Sequence, residues 1–97
     1  MSKTSARKKR KISDEAVVET ILQLCTAAGP EGQVKPEDVA MELYPEEWQS
    51  LLKRVRLSAR QLAEAGHIFI LRKGEVADPD DFKGIYRLRI HPDFFPF

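Results

Sequence analysis

The chain has a single cysteine, no long apolar run and a charged N-terminus without an apolar signal region. Because Cys25 has no partner in the chain, an intramolecular disulfide and a cysteine-rich zinc site are both excluded. No apolar stretch approaches the roughly 20 residues that a membrane-crossing helix needs. The charged N-terminus does not have the pattern of a signal peptide. These absences predict a soluble, cytoplasmic protein without a membrane partner.

Motifs for enzymatic chemistry are also missing. The sequence contains no Gly-rich phosphate loop, no Gly-x-Ser-x-Gly, no His-Glu-x-x-His and no dinucleotide fingerprint. His67 and His91 have no neighbouring His or Cys at metal-ligand spacing, which favours surface or strand-end histidines. We therefore expect a protein that is not an enzyme and that holds neither a metal nor an organic cofactor.

The composition fits one small globular domain, but its charge is strongly segregated. Of the 97 residues, 42% are hydrophobic and 32% charged, and the formal net charge is +1. Residues 12–52 carry nine acidic residues against Lys35 alone, whereas residues 53–73 carry six basic residues against Glu64 alone. Local potential, more than net charge, steers a polyanion towards a surface.

The first 12 residues form a basic segment with little apolar content. Such a segment cannot bury enough surface to offset the entropy of ordering, so we expect a disordered arm. Lys8, Lys9 and Arg10 are candidate contacts to DNA phosphates, and the alternative is a solubilising tail. The folded domain is then expected over residues 13–91, followed by an aromatic tail over residues 92–97.

Apolar spacing predicts three helices. The first spans residues 14–28, with Ser13 as its N-cap, and the second spans residues 36–43 and ends before a Tyr-Pro step. The third is predicted as one long helix from about residue 46 to residue 66, and the alternative is a break near Leu52.

Beyond the third helix the pattern changes to that of strands. Residues 68–71 are apolar and residues 85–90 alternate, with turn-forming residues between them. The simplest arrangement is an antiparallel hairpin with a long loop. Three helices followed by a hairpin predict an α+β, mainly α fold of the winged helix-turn-helix type.

Several short motifs stand in a distinctive order and spacing. They are Trp48, Val55-Arg56, Ala59, Leu62, Gly66-His67-Ile68, Val76-Ala77-Asp78-Pro79 and the run from Lys83 to Arg89. In these motifs the chain resembles a bacterial family of small, uncharacterised winged-helix-like domains, over about residues 14–90. The resemblance implies the fold and carries no activity with it.

A helical wheel of the third helix places four polar side chains in one stripe beside the buried face: Gln49, Lys53, Arg56 and Arg60. In helix-turn-helix proteins this helix enters the major groove, where Arg and Gln contact guanine and adenine edges. We therefore expect binding to double-stranded DNA by a transcription regulator or accessory factor, with Arg72 and Lys73 contacting phosphates. A merely solvated helix face is the alternative.

Acidic residues in the loop between the strands oppose this interpretation. Asp78, Asp80 and Asp81 would repel a phosphate backbone unless the loop points away from it. Arg87 and Arg89 share one face of their strand and are as well suited to pair with Asp78 or Asp81 as to bind a ligand. An acid–base or metal role for this cluster is a distant alternative.

The remaining apolar residues divide between core and tail. Trp48 and Cys25 lie in helical apolar stripes, so we expect both in the core. Phe94, Phe95 and Phe97 either dock onto the domain or offer a contact to a second copy or another protein. The alternative function is accordingly a protein-interaction module, through this tail or the acidic helices, without nucleic-acid binding.

Overall fold

The computed structural model describes residues 12–95 and is mainly helical, with a small antiparallel sheet. The elements are α1 (Asp14–Ala28), α2 (Pro36–Leu43), α3 (Leu52–Glu64), β1 (Ile68–Arg72), β2 (Glu75–Val76) and β3 (Arg87–Ile90). Short 3₁₀ segments precede α3 at Pro45–Leu51 and follow β3 at Pro92–Phe94. The predicted α+β, mainly α class is confirmed. No helix in the described part of the chain is both long and apolar enough to cross a membrane.

Helix α1 has the predicted bounds because its caps are local. The Ser13 hydroxyl accepts a hydrogen bond from the Ala16 amide at 3.0 Å, and Asp14 and Glu15 complement the helix dipole. The buried face of the helix consists of Val17, Thr20, Ile21 and Cys25. Helix α2 likewise has its predicted bounds, with Pro36 at its first turn.

The predicted long third helix is wrong in its first part, and the alternative break near Leu52 is confirmed. The backbone of Glu47 is non-helical, with φ −141° and ψ 46°, so the chain bends before α3 begins. The Ser50 hydroxyl donates to the Glu47 carbonyl at 2.7 Å and satisfies one group of this irregular segment. Apolar spacing is similar in 3₁₀ and α turns over a few residues, so spacing alone does not distinguish one long helix from a 3₁₀ segment followed by α3.

The sheet has the strand order β2-β1-β3. Strands β1 and β3 are antiparallel in the register Ile68↔Ile90, Phe69↔Arg89, Ile70↔Leu88 and Leu71↔Arg87. This register confirms the predicted antiparallel pairing, although β3 begins at Arg87 and not at residue 85. The two strands are not joined by a plain long loop, because β2 lies between them in the chain and pairs with the other edge of β1. The two-residue strand β2 was not predicted, because a segment that short has no readable periodicity.

The three helices and the inner face of the sheet enclose one core. Val34 forms an isolated bridge with Leu88, which joins the segment between α1 and α2 to β3. This arrangement of three helices and a strand-linked wing is winged-helix-like. Cys25 is buried and Trp48 is partly buried against the core, as predicted.

Candidate nucleic-acid interface

The solvent-facing side of α3 carries the residues predicted to read DNA. Lys53 and Arg60 are exposed, Arg56 is half-buried, and between them Leu57 is 54% exposed. These four side chains line one open cleft of about 340 Å³ together with Pro79, Asp80 and Phe82 of the loop that follows β2. We call this loop, residues 77–86, the wing loop. The fold therefore brings α3 and the wing loop together on one surface.

Arg56 fastens the wing loop to the helix. Its guanidinium carbon lies 4.1 Å from the ring centroid of Phe82 and 5.6 Å from that of Tyr86, and the guanidinium donates a hydrogen bond to the Phe82 carbonyl. The two rings meet edge to face at 5.0 Å. Burial raises the pKa of the Tyr86 phenol to about 12, against the opposing effect of the Arg56 charge.

Arg60, one helical turn after Arg56, also contacts the wing loop. Its guanidinium is 2.9 Å from an Asp80 carboxylate oxygen and 3.4 Å from Glu64. The hydrogen bond to Glu64 and the charge of Asp80 both raise the pKa of Arg60. The wing loop thus turns Asp80 towards a cation of α3. Asp78 accepts a hydrogen bond from the Asp80 amide at 2.9 Å, which rigidifies the loop.

Lys53 lies on α3, whereas Gln49 lies in the 3₁₀ segment before it. Lys53 is on α3 and, within residues 12–95, makes no ion pair. It also lines a neighbouring cleft of about 230 Å³ that Arg56 and Tyr86 share. Gln49 is exposed in the 3₁₀ segment, so it is not part of the stripe that a continuous helix would have formed.

Arg54 is a structural residue that the sequence patterns missed. It points away from the cleft, contacts Asp14 at 3.0 Å and donates a hydrogen bond to the Ile12 carbonyl. These contacts join α3 to the residues at the start of α1, 40 or more positions earlier in the chain. No local spacing signals such a contact.

The wing carries the other predicted cations. Arg72 ends β1, and Lys73 stands at the turn between β1 and β2. The alternative in which Arg87 and Arg89 pair with Asp78 or Asp81 is wrong, because neither arginine forms an ion pair in the described part of the chain. The aspartate between these two, Asp80, pairs with Arg60, since the wing loop folds onto α3.

The described part of the C-terminal tail docks onto its own domain. The Phe94 ring stacks on His67 at 4.1 Å between ring centroids, and Phe95 packs against the core. Phe94 nevertheless remains 40% exposed. The predicted contacts of Lys8, Lys9, Arg10 and Phe97 lie outside the described residues and stay predictions.

The described residues contain no cluster of three His, Cys, Asp or Glu side chains that could hold a metal ion. Cys25 is a free, buried thiol, and its burial raises the pKa to about 12. A thiol in that environment stays protonated at neutral pH.

Comparison with known proteins bears on the family and not on the activity. No curated protein matches the chain. Residues 14–91 match a family model described as a protein of unknown function, DUF3253, which covers most of the chain. The resemblance to a family of uncharacterised domains is confirmed, while a bacterial origin stays a prediction. The chain therefore belongs to the DUF3253 family.

Proposed function

We propose that the protein binds double-stranded DNA through α3 and the wing loop. The observation that carries the proposal is the convergence of Lys53, Arg56 and Arg60 on one open cleft around the exposed Leu57. In a winged-helix arrangement this is the helix that enters the major groove, with the wing beside it. An exposed leucine amid cations matches a groove that offers phosphates at its edges and thymine methyl groups within.

The three cations have different roles in this proposal. Lys53 contacts a phosphate, because it is exposed and has no ion pair among residues 12–95. Arg60 contacts a base edge after its ion pair with Asp80 breaks. Breaking this pair costs little, because ion pairs between exposed side chains contribute little stability. Arg56 is a positioning residue that holds the wing loop, because its guanidinium is occupied by Phe82.

Further contacts to the DNA backbone come from outside α3. Gln49 lies just before the helix and is exposed, and Lys8, Lys9 and Arg10 of the N-terminal arm supply sequence-independent attraction. The acidic residues of α1 and α2 repel a phosphate backbone. Glu37 of α2 lines the neighbouring cleft beside Lys53 and Arg56, so this repulsion limits the docking surface on that side of α3.

Fluorescence anisotropy with a random-sequence duplex at low and moderate salt tests this proposal on the full chain. We expect salt-sensitive binding, and Lys53→Gln should weaken it and lower the salt slope by about one phosphate contact. Lys35→Gln, which removes a cation from the acidic side, is the matched control and should change affinity little. Absence of binding, or binding unchanged in Lys53→Gln and lost only when Lys8, Lys9 and Arg10 are replaced by Gln, would refute groove binding by α3.

A second candidate function is capture of a basic protein by the acidic surface. Exposed carboxylates dominate α1, α2 and the 3₁₀ segment after them: Asp14, Glu15, Glu19, Asp38, Glu42, Glu46 and Glu47. Such a surface attracts a cationic partner.

The C-terminal tail is another candidate contact, either with a partner protein or with a second copy of the chain. Phe97 and the exposed part of Phe94 would form that contact. Sedimentation of the full chain over a range of concentrations distinguishes a homodimer from a monomer.

A further inference from the structure

We propose that a second cleft, between the β1–β2 turn and the start of β3, binds a phosphoryl group. The cleft has a volume of about 410 Å³, and its lining includes three cations, Arg72, Lys73 and Arg87, with the amide of Gln33 and no carboxylate. None of its lining residues belongs to α3, so this inference stands independently of DNA binding by that helix.

Arg72 is held in place at one wall of the cleft. Its Nε donates a hydrogen bond to the Ile85 carbonyl at 3.3 Å, and within residues 12–95 it has no carboxylate partner. A terminal nitrogen of its guanidinium lies 3.2 Å from the position that a Cβ on Gly84 would occupy. The guanidinium thus uses the space that glycine leaves, and its other N–H groups remain available to a ligand.

Lys73 is presented by the turn between β1 and β2. Lys73 has φ 53° and Gly74 has φ 82°, the two consecutive positive values that a type I′ hairpin turn requires. Lysine is uncommon at such a position, where Asn or Gly fits without strain. The turn places an exposed ammonium group at the rim of the cleft, beside the guanidinium of Arg72.

Arg87, at the start of β3, is the third cation that lines the cleft. Its guanidinium donates to the Tyr86 carbonyl at 3.2 Å and, in the described part of the chain, pairs with no acid. Glu37 and Asp38 line the adjoining cleft, which shares Ile85 and Arg87, and they do not line this one. The lining of this cleft therefore carries positive charge only, while Glu75, the cross-strand partner of Arg72, and the acids of the adjoining cleft lie outside it.

The lining indicates the class of ligand. Three cations and an amide match the charge and the several acceptor oxygens of a phosphoryl group better than a single carboxylate. Leu71 and Ile85 add an apolar wall, and Ile85 is 76% exposed. The phosphoryl group belongs either to a phosphate monoester with an apolar substituent or to a nucleic-acid backbone, which is the ligand predicted for Arg72 and Lys73 from the sequence.

The test is an amide NMR titration of the full chain, with chloride at matched ionic strength as the reference. Inorganic phosphate should give saturable shifts that cluster at residues 72–74 and 85–87. Lys73→Asn removes the charge yet keeps a residue that tolerates positive φ, so the domain should stay folded. It should raise the apparent Kd for phosphate by about tenfold, the loss of one charged hydrogen bond.

A matched variant separates this site from a general effect of charge. Lys83→Gln removes an exposed cation that does not line the cleft, so it should leave the phosphate Kd unchanged. Unsaturable shifts spread over the basic surface, or the same Kd in Lys73→Asn as in the unmodified chain, would overturn the proposal. Tighter binding of phenyl phosphate than of inorganic phosphate would identify a monoester, and displacement of phosphate by duplex DNA would identify the backbone.

Discussion

The guanidinium carbon of Arg56 lies 4.1 Å above the ring of Phe82, 26 positions later in the chain, and the same guanidinium bonds the Phe82 carbonyl. This contact joins α3 to the wing loop through both a cation–π interaction and a hydrogen bond. Phe82 is buried, with 3% of its surface exposed, so the wing loop is held both by packing of this ring in the core and by its contact with Arg56. The shape of the candidate interface depends on this pair.

Arg56→Gln should therefore destabilise the domain. It removes the cation–π contact and weakens the bond to a part-buried carbonyl, at a cost of about 1–3 kcal/mol in the free energy of unfolding. Urea unfolding followed by circular dichroism measures the change. Lys53→Gln, on the same helix face but exposed, should stay within about 0.5 kcal/mol of the unmodified chain. Equal stability of the two variants would contradict the anchoring role of Arg56.

Gly84→Ala should destabilise the wing. Gly84 has φ 80°, and an added Cβ would lie 3.2 Å from the Arg72 guanidinium. We expect a loss of about 1–2 kcal/mol from the unfavourable backbone and the displaced arginine. Thermal unfolding gives the value, with Lys83→Ala as the neighbouring control. An unchanged melting temperature in Gly84→Ala would show that the wing relaxes freely around Arg72.

Stability should fall as the pH rises above the ordinary thiol pKa of 9.0. Burial raises the pKa of Cys25 to about 12 in the folded state, so the unfolded chain loses this proton first and is favoured as pH increases. Tyr86, with its pKa also raised to about 12, extends the loss to higher pH. Urea midpoints from pH 7 to 9.5 should decline near the upper end, and Cys25→Ala should flatten that decline. A midpoint that rises over this range would contradict the direction of the shift.

Phe94→Ala should weaken the docking of the tail. The stacked pair with His67 accounts for about 0.5–1.5 kcal/mol beyond the apolar area that it buries. Phe94→Leu keeps an apolar side chain and should restore part of the loss in thermal unfolding. If Phe94→Ala instead leaves stability unchanged and converts a dimer into a monomer in sedimentation, the ring serves a contact between copies and not the domain itself.

Local features of the sequence were sufficient for α1 and α2. Ser13 caps α1 through the Ala16 amide, three residues away, and Pro36 opens α2 within its own first turn. Such interactions act within one turn, so a pattern of neighbouring residues predicts them. The antiparallel pairing of β1 and β3 was also predictable, because apolar alternation identifies which strand face is buried.

The candidate interface was predictable only in part. Lys53, Arg56 and Arg60 share a face of α3 by helical spacing, and in the structure they line one cleft. A 3₁₀ segment has nearly the same short-range spacing as an α-helix, so spacing alone places Gln49 on that face too. Gln49 lies after the bend at Glu47, in the 3₁₀ segment that ends before α3 begins at Leu52, and it does not line the cleft.

The fold class, the bounds of the first two helices, the segregation of charge and the burial of Cys25 all follow from the order of residues in the chain. The packing of the elements adds which cations already have a partner: Arg60 with Asp80, Arg56 with Phe82, and Arg54 with Asp14. The difference arises from separation along the chain. These contacts join residues 20 to 40 positions apart, and their partners are set by how the wing loop and α1 pack on α3.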